Sequence, residues 1–130
     1  MPRRFALLPV LALAAVGLAA PLAAHAERSN CIDARELQDW KSPSPNVIYL
    51  KVNASEVFRL DLSAGSNQLK YSDSILVDNN HSSSRWVCDP LDFQLRVTDS
   101  HHTFVEPLIV KSITRLSPEE VAALPPGARP

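Results

Sequence analysis

Glycine, cysteine and a surplus of either charge are all scarce in this 130-residue chain. Each scarcity removes a class of function. Of three glycines, only Gly65 and Gly127 lie beyond the first 26 residues. That is too few for a glycine-rich oxyanion loop, and no GxSxG nucleophile elbow is present. The two cysteines, Cys31 and Cys88, form no CxxC motif and no Cys/His spacing suited to zinc. The formal net charge is −1, with no basic stripe for a nucleic acid to follow and no acidic or basic tail. There is no internal repeat, no low-complexity tract and one long apolar run only.

That run lies at the start. Met1, Pro2, Arg3 and Arg4 precede an Ala- and Leu-rich stretch from Phe5 to Leu22, which ends at Ala24-His25-Ala26. A basic start, an apolar middle and small residues before a cleavage point make a secretory signal peptide. The run is close to the lower limit for a spanning anchor, about 17–18 residues. Pro9, Pro21 and the A-x-A ending favour cleavage. Cys31 is too far on to be lipidated at the cleavage point. The expected organisation is a signal peptide over 1–26, a β-rich domain over 27–124 and a flexible tail over 125–130. Without the leader, 11 of the 13 basic residues remain against 14 acidic, a net of −3. The location expected is periplasmic or secreted, with no membrane association after cleavage and a monomeric state.

In an oxidising compartment Cys31 and Cys88 most simply pair, the alternative being free thiols or a shared metal. Such a bond closes a loop of about 58 residues, for which the chain-entropy estimate is ~4 kcal/mol, an upper figure because native strain subtracts.

The mature chain reads as short strands. Ile48, Leu50 and Val52 alternate with Val47, Tyr49 and Lys51. After Asn53, Ala54 and Ser55, the residues Phe58, Leu60 and Leu62 alternate with Val57, Arg59 and Asp61. Two alternating runs around a short polar turn predict a β-hairpin. Residues 74–78 predict a short strand, and 92–98 alternate again. Residues 104–113 are apolar, with Pro107 at a kink or a sheet edge. Pro43 and Pro45 mark a turn or connector over 41–46. The segment 35–40 is ambiguous between a strand and a turn of helix that docks Trp40. Ser117, Pro118, Glu119 and Glu120 predict a helix start, stopped by Pro125 and Pro126, with a loose end beyond. Five to six strands and one small C-terminal helix predict a mostly β fold, a small antiparallel barrel or sandwich.

Cys31, Ile32 and Asp33 after the leader, then Trp40, the strand at Ile48, Tyr49 and Leu50, the strand 58–62, Cys88 and the ending 113–124 together resemble a family of small exported proteins of Gram-negative bacteria of unknown function. The resemblance spans nearly the whole mature chain and implies no activity, cofactor or catalytic residue. Members carry a second cysteine pair, in regions where this chain has Ser66 and Asn67 and, later, Leu108.

Three constellations bear on chemistry. His81, His101, His102 and Asp99 are of the right types for zinc or copper, but adjacent histidines on an extended segment point to opposite sides. A solvated turn is the plainer reading, and no metal or cofactor is expected. The carboxylate pairs Asp89/Asp92 and Glu119/Glu120 read as turn and helix-start chemistry, so no catalytic residue is assigned and no enzyme is expected. The polar loop over 78–86 ends in Arg85 and Trp86, residue types enriched in binding hot spots. His81, Arg85 and Trp86 are therefore the candidate partner-binding residues, unless Trp86 packs inward against the disulfide. The leading expectation is a non-catalytic binding module of the cell envelope, its partner an unidentified protein or envelope component. The alternative is a small inhibitor of a periplasmic or cell-wall enzyme. Metal carriage by the histidines is a third reading.

Overall fold

The computed structural model describes residues 30–79 and 84–130; the leader and His81 lie outside them. Eight strands run in the order β1 (Ile32–Asp33), β2 (Leu37–Ser44), β3 (Val47–Val52), β4 (Glu56–Leu62), β5 (Ser74–Asn79), β6 (Trp86–Val87), β7 (Phe93–Thr98) and β8 (Val105–Arg115), followed by the helix α1 (Pro118–Ala123). The fold is mostly β, as expected. Six strands form one curled antiparallel sheet in the order β2-β3-β4-β8-β7-β5, and β1 pairs with β6 in a separate ladder.

The alternation of the hairpin sets its register. Ile48 faces Leu60 and Leu50 faces Phe58 across β3 and β4, and all four are fully buried. Asn53 turns the chain in the left-handed region, φ 56°, which asparagine tolerates better than most residues. The concave side holds the main core: Ile48, Leu50 and Val52 with Phe58, Leu60, Leu62, Phe93, Leu95, Val97, Leu108, Val110 and Ile113. Ile32 and Val87 from the small ladder close it, and Leu69 does so from the 3-10 turn Asn67–Tyr71.

Three local expectations change. Residues 34–36 form a turn, β2 begins at Leu37, and it continues through Pro43. Proline is tolerated there because β2 is an edge strand, and its pairing with β3 shifts between Lys41 and Ser44. Trp40 docks on the core from β2. The connector shrinks to the turn at Pro45 and Asn46. Pro107 sits where β8 pairs only with β7, since pairing with β4 begins at Val110. Between Asp61 and Leu62 the β4–β8 register shifts by one residue at Lys111, which carries the apolar face from Val110 to Ile113.

The chain end is the largest departure. Ser117 and Glu120 form a reciprocal capping box, with the Ser117 amide donating to Glu120 Oε2 at 2.7 Å. Residues 125–130, expected to be loose, turn back as a 3-10 segment and bury Ala128 against Tyr49 and Val57 on the convex side. Val121 and Leu124 of the helix region join this second cluster. The Arg129 guanidinium donates to the Leu124 and Ala122 carbonyls at 2.8 and 2.6 Å, locking the reversal. Tyr49 and Val57 are apolar groups on the outward face of the hairpin, and covering them is what holds the end down.

Candidate functional site

Cys31 and Cys88 are disulfide-bonded, Sγ to Sγ 2.05 Å. The bond flanks the β1–β6 ladder, in which Asp33 faces Trp86 and Ile32 faces Val87. Alternation along β6 therefore decides the fate of Trp86. Val87 points into the core, and Trp86 points out with about half its surface exposed. The inward packing of Trp86 against the disulfide does not occur.

Arg85 is fixed from both ends. Its carbonyl accepts the Ala34 amide at 2.9 Å. Its guanidinium donates to the buried Asp33 carboxylate, Nε to Oδ2 at 2.7 Å, and lies over the Trp86 ring at 5.5 Å. The hydrogen bond from Arg85 holds the Asp33 carboxyl below its usual range, and a further bond from the Arg35 amide acts in the same direction. On the other side, the Asn79 side chain donates to the Trp86 carbonyl at 2.9 Å. Arg85 is thus first a structural residue, and Trp86 is the side chain it presents. The third candidate, His81, lies outside the described residues.

The other constellations are occupied locally. Asp99 accepts the Thr103 hydroxyl and the Thr103 amide, the latter at 2.7 Å, and these bonds hold its carboxyl low. His101 and His102 are exposed in that turn, His102 with φ 53°. Among the described residues no group of three His, Cys, Asp or Glu side chains is placed to hold a metal. Asp89 caps the 3-10 turn Pro90–Asp92, accepting the Leu91 amide at 2.8 Å. Glu120 is spent in the capping box.

A feature not identified from sequence lies on the convex side of β7 and β8. Pro90 and Leu91 form one wall of a cavity of about 370 Å³, and Pro107 and Ile109 form the other. Gln94 and Arg96 also line it, paired in register with Ile109 and Pro107. Leu91 and Ile109 are 82% and 69% exposed, the highest values among the large apolar side chains described. Around them stand Leu76 on β5 and Val105 on β8, also exposed. The signal for this face was present: Gln94 and Arg96 alternate with buried residues, so the partners opposite them on β8 also point outward. The unbroken apolar stretch over 107–110 concealed which of its residues those were.

No family model, no curated protein and no solved structure matches this chain.

Proposed function

We propose that this chain is an exported, disulfide-tied binding module of the cell envelope that works without catalysis. One observation carries the reading. Among the described residues six large apolar side chains are exposed, and five of them, Leu76, Trp86, Leu91, Val105 and Ile109, lie on or beside β5, β7 and β8. The sixth, Tyr71, ends the 3-10 turn before β5, with the Lys70 ammonium 4.7 Å from its ring centre. Exposed apolar groups gathered in one region of a small domain mark an interaction face. Trp86 is the anchor of that face, since a rigidly held aromatic loses little conformational entropy on binding.

Export is supported by the leader-like first 26 residues and by the Cys31–Cys88 bond. The non-catalytic part rests on what the candidate acids and bases do: Asp33, Asp89, Asp99 and Glu120 each accept local hydrogen bonds that shape the backbone or hold Arg85.

The test is cross-linking capture from the envelope with the native chain and with Trp86→Ala. A partner captured by the native chain and lost by the variant, at unchanged melting temperature, is the expected result. Equal capture by both would refute the role of Trp86. Arg85→Ala is the wrong probe by itself, because it also strips the buried Asp33 of its counter-charge.

A further inference from the structure

We infer that the cavity between Leu91 and Ile109 is a receptor for the carboxyl terminus of an apolar peptide, with Arg96 as the carboxylate anchor. This site is separate from Trp86, which does not line the cavity.

The arginines of the chain keep different company. Arg59 is paired with Asp61, Arg85 with Asp33 and Arg115 with Glu56, and Arg129 donates to the Leu124 and Ala122 carbonyls. Arg35 also has no ion pair among the described residues but does not line the cavity, as Arg96 does. Arg96 has no ion pair and no side-chain hydrogen bond among the described residues. Asp78, the carboxylate on the same face of β5, stands opposite Gln94 and forms no ion pair with Arg96. A guanidinium fork beside apolar walls, without an acid of its own, is complementary to a carboxylate that arrives on an apolar body.

Dimensions choose the body. From the Gln94–Ile109 pair to the Arg96–Pro107 pair is two residues along the strands, about 7 Å. A terminal residue with a large apolar side chain spans that distance, its side chain between Leu91 and Ile109 and its carboxylate at Arg96. The volume of about 370 Å³ is at the small end for a ligand site. It admits one or two residues and leaves most of a long acyl chain in water.

The test is an amide-resolved NMR titration of the protein in its exported, oxidised form. Three probes are compared: acetyl-Ala-Ala-Ala-Phe with a free carboxylate, the same peptide as its C-terminal amide, and dodecanoate. The acid should give saturable shifts centred on Leu91, Arg96 and Ile109, and the amide should bind about tenfold more weakly, as expected for loss of a charge-assisted pair. Arg96→Gln should weaken binding of the acid by a similar factor and leave the amide unaffected, with no change in melting temperature. Trp86→Ala should leave acid binding unaltered. The inference is overturned if acid and amide bind alike, if Arg96→Gln binds like the native chain, if shifts centre on Trp86, if no saturable shift occurs, or if dodecanoate binds more tightly than the peptide.

Discussion

The two halves of the curled sheet share a concave core and differ on the convex side. Over β3 and β4 the outward Val47, Tyr49 and Val57 are covered by Leu116, Val121, Leu124 and Ala128 from the chain end. Over β5, β7 and β8 the outward Leu76, Val105 and Ile109 stand exposed. Both halves thus present apolar groups outward, and only one half is supplied with a cover by the described residues. An apolar face that the fold itself covers serves stability. One left open in the same sheet, beside a cavity and an arginine without an ion pair among the described residues, is the face we propose for recognition. The halves are also secured differently. A returning tail clamps the first, and a covalent bond from Cys31 to Cys88 ties the chain immediately ahead of β7 in the second.

The largest expected effect sharpens this contrast in anchoring. Replacing both cysteines by serine should lower stability by up to about 4 kcal/mol, the loop-closure figure for this spacing. Denaturant unfolding of the oxidised and variant proteins measures it. Next is a matched pair of substitutions across the two halves. Tyr49→Ala, under the cover, should cost about 3 kcal/mol. Ile109→Ser, on the bare half, should stay within about 0.5 kcal/mol of the native chain. Equal losses for the two would dissolve the distinction. Deleting residues 125–130 should cost about 2 kcal/mol, roughly the value of re-exposing one buried apolar side chain. The same deletion should increase binding of a hydrophobic dye, since it uncovers Tyr49 and Val57.

The smallest effect concerns acid. Because Arg85 holds the Asp33 carboxyl below its ordinary value of 3.8, the ionised form is favoured by folding. That contribution is complete above the ordinary value and is lost as pH falls through the lower folded one. Asp33→Asn should therefore flatten stability against pH below about 4, which acid titration followed by circular dichroism would show. A native chain whose stability did not fall over that range would contradict the pairing.

Legibility in the sequence followed how strictly each segment obeyed one rule. The hairpin was readable because Phe58, Leu60 and Leu62 alternate with Arg59 and Asp61, and burial follows that pattern. The helix start was readable because a capping box is a local device needing only Ser117 and Glu120. Strand β2 was hidden by Pro43, whose tolerance depends on an edge position that only the sheet order reveals. The docked end was hidden because Pro125, Pro126 and Gly127 carry turn signals, while the surface that holds Ala128 comes from Tyr49 and Val57, far back in the chain. Of the candidate site, Trp86 was singled out by residue type, and its outward direction required the Ile32–Val87 pairing. Arg85 was read as a partner-binding group and proves to be committed to Asp33. The cavity escaped because residues 107–110 of β8 are all apolar, so alternation was masked until pairing with Gln94 and Arg96 and the shift at Lys111 resolved it.

Site-specific photo-cross-linking in living cells tests the division between the halves most directly. A photoreactive phenylalanine analogue is placed at Ile109 on the bare half or at Glu119, exposed on the covering helix. Expected are discrete adducts from Ile109, competed by unlabelled native protein, with none from Glu119. Adducts of equal yield from both positions, or from Glu119 alone, would contradict the assignment of the bare half as the binding face.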